Sequence, residues 1–201
     1  MANIEANDMN EMKNDAVWRQ MLLPKATKKM VSLLPVLLRV AVVLLTLAAA
    51  LAMGLNRQSR SITVAIVGTT PIIQAFVAKF QHTPAFVYFV IANATVSTYN
   101  LLVLLLSFFL SKRKAYHLTV HIMDLVMMAL LATGAAAAAS MAELGKNGNY
   151  HARWSPICDR FEAYCHRGGL ALTASFIGAF LLTTLNAQTI LALYYRPASQ
   201  L

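Results

Sequence analysis

Two charged side chains stand alone inside long apolar stretches of this sequence, and they are where its chemistry would be sought first. Arg39 lies in an apolar run over residues 33–55 and Asp124 in one over 118–141, each six residues from the start of its run. If both runs are helices crossing a membrane, six residues correspond to a depth of about 9 Å. A charge near the centre of such a helix costs about 2.5–3.5 kcal/mol even on insertion scales, so opposite charges at one depth imply a pair. Asn100, Asn186 and Gln188 fall at or near the same level in the two remaining apolar runs and complete a polar layer. That layer reads either as an interhelical clamp that fixes helix register or as an ion or proton relay. A relay needs ionisable groups that continue across the membrane. The other half of the four runs contains no Asp, Glu, Lys, Arg or His, which favours the clamp.

The second constellation is the pair Cys158 and Cys165, set among Trp154, Phe161 and Tyr164. A continuous helix would hold these two Cα atoms about 10 Å apart, beyond disulfide reach, so the chain must bend between them if they pair. Two free thiols are the alternative. Zinc finds no finger spacing here, with His151 and His166 the nearest nitrogen ligands. The three aromatics are of the kind that anchor interfaces and mark this loop as a partner-binding surface. They could instead pack the loop onto the helix ends.

His117, His121 and Asp124 share one face of a helix, a pattern open to a metal ion. The other apolar runs carry no His or Cys to complete the ligand set, so no metal and no haem is expected. Gly134 is followed by alanines through position 139. Small residues let backbones approach closely in lipid, so Gly134 and Ala138 should face another helix, of this chain or of a second copy.

These residues must be positioned by four apolar runs, at 33–55, 86–110, 118–141 and 169–193. Each extends about 35 Å as a helix, against a hydrocarbon core of about 30 Å. The chain is 58% hydrophobic and 12% charged, where soluble domains average about 45–50% and 25%, so a soluble globule is excluded. The fold class is an all-α membrane protein, a four-transmembrane-helix bundle. The residues left for tails and loops are too few for a soluble catalytic domain of usual size, and neither a nucleophile with a positioned base nor a nucleotide motif occurs, so no enzyme is expected. The net charge of +9 is dispersed near the runs without a nucleic-acid-binding motif and suits membrane lipids as partners.

Residues 1–32 are read as a tail without fixed structure and 194–201 as a second one. The first run exceeds the 7–15 residues of a signal-peptide core and is read as retained. Lys25, Lys28 and Lys29 before the first run and three cations in the connection 111–116 place both termini in the cytoplasm. Loops 56–85 and 142–168 then lie outside. In the first of these, Ile72, Ile73, Phe76, Val77 and Phe80 recur at helical spacing between Pro71 and Pro84, which predicts an amphipathic helical turn or two packed on the membrane surface, with partner binding the alternative.

The sequence resembles the plant Casparian strip membrane protein-like (CASP-like) proteins, related to the four-helix MARVEL domain, and within them subfamily one. The resemblance spans all four helices. It is carried by Asp124-Leu-Val-Met-Met-Ala-Leu-Leu, Gly134 with its alanines, the stretch from Leu144 to Trp154, Ile157-Cys158, Phe161 and Cys165, and in the second run by Tyr88-Phe89-Val90, Ala92-Asn93 and Tyr99. It implies a multi-pass plasma-membrane protein with cytoplasmic termini, assembling as homo- or hetero-oligomers with other CASP-like proteins. The family's intramembrane charges map onto Arg39 and Asp124. Founding members form membrane platforms that organise cell-wall lignification, which implies extracellular wall-modifying partners. The first-loop motif of those members has no copy in Gly68-Thr-Thr-Pro-Ile-Ile-Gln-Ala-Phe76, so the resemblance implies a scaffold rather than a Casparian barrier builder. A small ion or solute transporter using the Arg39 and Asp124 layer is the alternative.

Overall fold

The computed structural model describes residues 25–67, 70–110 and 114–194. Residues 1–24 and 195–201 of the tails, 68–69, and 111–113 of the cationic connection lie outside the described residues. The element order is α1 (Lys25–Gly54), β1 (Arg57–Val67), β2 (Thr70–Lys79), a 3-10 turn (Phe80–His82), α2 (Pro84–Leu110), α3 (Lys114–Asn147) and α4 (Glu162–Tyr194). Among the described residues four segments are long and apolar enough to cross a membrane: Leu33–Gly54, Pro84–Ser107, Leu118–Asn147 and Glu162–Leu191. The membrane-spanning part is therefore all helix, as expected. The ends of α3 and α4 that meet at the bridged loop extend beyond the expected runs, and α1 begins inside the segment read as a tail.

Each helix packs on its neighbour in sequence and α1 closes the ring on α4, leaving α1 and α3 on a diagonal. The outward faces are apolar, with Leu37, Leu44, Phe109 and Phe180 all exposed, as lipid rather than water would allow. Inside, two clusters stack along the bundle. One holds Val42, Val96, Leu131 and Leu182. The other, towards the loop end, holds Met53, Phe86, Phe89, Phe161 and Tyr164.

Small residues set the spacing. A Cβ built on Gly134 would stand 2.9 Å from the Cβ of Ala92, so α3 approaches α2 as closely as it does only because position 134 carries none. Ala135 and Ala138 are fully buried in the cluster near the loops. The buried side of the small-residue run thus serves contacts within the chain.

The loop between α1 and α2 differs from its expected helix. It is an antiparallel hairpin in which Arg57 pairs with Lys79 and Val67 with Thr70, with a bulge between Thr63 and Ala65. The spacing of Ile72, Ile73, Phe76 and Val77 fits a helix. The preceding strand, however, is rich in Ile, Val and Thr and ends before Gly68, a hairpin signal that outweighs it. As a strand, Ile72 and Ile73 point to opposite faces, and both are exposed.

Candidate functional site

Arg39 and Asp124 meet across the diagonal of the bundle. The Asp124 carboxylate accepts from Arg39 Nη1 at 3.0 Å and from Nη2 at 2.5 Å. The Asp124 side chain is 2% exposed and that of Arg39 11%. Two further groups from α2 complete the arrangement. Arg39 Nη1 also donates to Asn100 Oδ1 at 2.9 Å, and Asn100 Nδ2 donates to the Val96 carbonyl at 2.9 Å. Tyr99 Oη donates to Asp124 Oδ1 at 2.9 Å. Three helices are thereby tied at one level. With the guanidinium and carboxylate bonded in parallel and their remaining sites occupied by α2, the desolvation that makes buried charges costly is offset by geometry.

Asn100 joins the pair directly, as its depth suggested. Asn186 and Gln188 do not hydrogen-bond to it. Asn186 is buried but turns its amide back to the Leu182 carbonyl at 3.2 Å within α4, and Gln188 is half-buried. A matched depth fixes height along the bundle axis and leaves rotation about the helix undetermined, which is why these two were grouped with the pair from sequence. Tyr99 was missed. Its signal was a phenol adjacent to Asn100 inside a span, at the depth of the two charges. His121 is buried beside this layer, and no group of three metal-ligating side chains occurs among the described residues.

At the other end Cys158 and Cys165 are bridged, with Cα atoms 5.7 Å apart. The chain does bend between them: α4 starts only at Glu162, and the Ile157 and Cys158 amides both donate to the Gly145 carbonyl at the end of α3. Before the bridge the loop folds into a small tongue in which Asn149 and Trp154 exchange two backbone hydrogen bonds of 2.9 Å. Gly148 makes this possible. Its φ is +69°, and a Cβ there would lie 2.5 Å from the Trp154 carbonyl oxygen.

The three aromatics of this loop do not act together. Trp154 is 58% exposed, whereas Phe161 and Tyr164 are 8% and 5% exposed. Phe161 and Tyr164 must therefore be removed from the expected partner surface: Phe161 lies in the cluster under the loop, and Tyr164 packs edge-on against Phe86, ring centroids 6.4 Å apart. The reason is that α4 begins at Glu162: Tyr164 lies in its first turn and faces the bundle, and Phe161 immediately precedes it, its carbonyl accepting from the Cys165 amide. The hairpin is fastened to the same place, with Asn56 Nδ2 donating to the Tyr164 carbonyl and the Tyr164 amide donating to Gln58 Oε1, each at 2.8 Å.

The resemblance placed the family's two intramembrane charges at Arg39 and Asp124, and here they pair between α1 and α3, with a bridged loop at the opposite end of the bundle. The Casparian strip membrane protein domain model matches residues 28–181. The chain belongs to that family. It is 57% identical to CASP-like protein 1B1 of Sorghum bicolor over 163 residues, 81% of this chain and 77% of the relative. It is 58% identical to CASP-like protein 1B2 of Oryza sativa subsp. indica over 158 residues, 79% of this chain and 80% of that protein. With CASP-like protein 1B2 of Vitis vinifera the identity is 44% over 187 residues, 92% of both chains. No solved structure matches the chain. It is thus a multi-pass plant membrane protein of the CASP-like family, and the 1B relatives agree with the resemblance to subfamily one.

Proposed function

We propose that the protein is a plasma-membrane scaffold that oligomerises with itself or other CASP-like proteins and gathers extracellular wall-modifying partners at its outer loops. The observation that carries this reading is the use made of the intramembrane charges. Arg39 and Asp124 are bonded to each other and to Asn100 and Tyr99, and the large cavity near the loops does not extend to them. Such groups fix three helices in register. Exposed features collect instead at the loop end, where Trp154, Tyr150, Ile72 and Ile73 face outward. We assign no catalysis to it.

The orientation follows from the cations near the first helix and in the connection at 111–116, which put both termini in the cytoplasm and the hairpin and bridged loop outside. A cysteine placed at Lys146 should then react with an impermeant maleimide on intact cells, and one at Ser111 should not. The reverse pattern would invert the orientation. The scaffold itself is tested by tracking a tagged copy in the plasma membrane. Immobile patches containing several copies are expected; free diffusion of single copies would contradict it. The transporter alternative would require flux through liposomes carrying the purified protein.

A further inference from the structure

Among the described residues a cavity of about 780 Å³ opens between the ends of α3 and α4 that the bridged loop joins. That is within the range of small-ligand sites, roughly 300–1,000 Å³. Its depth is apolar: the lining includes Met53, Phe86, Met141 and Leu172 from all four helices, and Met53 is only 1% exposed. Its polar lining carries both signs of charge: Glu143 and Lys146, three residues apart on α3, and Glu162 at the start of α4, with Trp154 and His166. No ion pair joins Lys146 to either carboxylate. The rim lies at the end of the spans, where a lipid head group sits, and the apolar depth continues down into the level of the acyl chains.

We infer that this cavity binds one phosphocholine lipid from the leaflet on the hairpin side, an acyl chain between Met53, Phe86 and Leu172 and the head at the rim. The lining offers a partner to each of the two charges of that head. Lys146 offers an ammonium to the phosphate, while Glu143, Glu162 and the half-exposed Trp154 ring suit a quaternary ammonium, which aromatic faces attract. A purely anionic lipid would leave both carboxylates opposed by like charge, and a sterol would leave Lys146 without a counter-charge. The inference stands on the cavity and its rim, and holds whichever way the bundle is oriented.

The test uses the full chain in nanodiscs of phosphatidylglycerol doped with a phosphatidylcholine that carries a diazirine midway along one acyl chain. After photolysis, adducts are mapped by mass spectrometry. Phe180, exposed to bulk lipid, should be labelled in every sample. Adducts on Met53 and Leu172 are expected in addition, suppressed by excess unlabelled phosphatidylcholine and lost in Ala142→Phe, which fills the half-buried wall. Labelling confined to outward residues would overturn the site. So would Met53 adducts that survive excess phosphatidylcholine, or that a sterol removes more readily. Lys146→Glu changes only an exposed side chain and keeps the test decisive if Ala142→Phe fails to fold. It should raise the phosphatidylcholine needed for suppression by roughly tenfold, the loss of one charge-assisted bond, while diacylglycerol competes equally in both proteins. Equal competition by phosphatidylcholine would overturn the head-group assignment.

Discussion

The two ends of the bundle are held together by different physics. At the end near the termini, Arg39, Asp124, Asn100 and Tyr99 join three helices through polar side chains, Tyr99 also donating to the Val120 carbonyl at 3.1 Å. At the loop end a disulfide, backbone hydrogen bonds and the packing of Phe161 and Tyr164 hold the chain. The contrast teaches where each device works. In lipid there is little hydrophobic drive between helices, so a buried polar contact has few competing partners and can specify register. At the water interface polar side chains are solvated, and a covalent bridge with aromatic burial does what a solvated ion pair there would do weakly.

The sharpest way to break the comparison is at the charged end. Asp124→Ala leaves the Arg39 guanidinium buried without its counter-charge and should destabilise the bundle by about 3–5 kcal/mol. Thermal unfolding of the purified variant measures this, and intracellular retention should accompany it. Exchanging the two charges should restore part of the loss. At the loop end the effect is smaller. Replacing Cys158 and Cys165 together by Ser should cost about 2.5 kcal/mol, because a loop this short restricts the unfolded chain only modestly. The same melting assay under non-reducing conditions reads it, and surface delivery should persist.

Tyr99→Phe sharpens the comparison within the charged end. It removes one bond to the carboxylate and keeps the ring, for a loss of about 1.5–2 kcal/mol, with the Arg39 and Asp124 bonds retained. A loss as large as that of Asp124→Ala would mean that the phenol, not the guanidinium, holds α3. The smallest effect on stability is expected for Trp154→Ala, within about 0.5 kcal/mol, since the indole is largely exposed. If the tongue is the proposed partner surface, recovery of extracellular proteins with the tagged protein should nevertheless fall. Undiminished recovery would move the partner surface away from the tongue.

Much of this division was legible before the structure. Run lengths revealed the four spans, and equal depth from the run starts brought Arg39 and Asp124 together. The need for a bend between Cys158 and Cys165 followed from helix rise alone. What failed to show was rotation and context. Asn186 sits on a helix whose hydrophobicity is nearly uniform around its axis, so no face marked where its amide would turn. Tyr164 looked like a loop aromatic because α4 was expected to begin later than Glu162, and Phe161, still in the loop, carried no mark that it would turn into the cluster beneath it. The hairpin was hidden because Ile72, Ile73, Phe76 and Val77 satisfy a helical period, while the evidence for strands lay in the β-branched residues before Gly68.

The most direct test of the clamp is a double-mutant cycle on Arg39 and Asp124. Arg39→Leu, Asp124→Leu and the double variant are purified, their unfolding is measured, and each is reconstituted in liposomes to record proton and ion flux. Each single change strands one buried charge, whereas the double change leaves an apolar contact that a bundle in lipid tolerates. The account predicts that both single variants lose about 3–5 kcal/mol, that the double variant recovers most of that loss, and that no flux above empty liposomes is seen in any of them. Single variants as stable as the parent, together with a parental flux that either substitution abolishes, would contradict it.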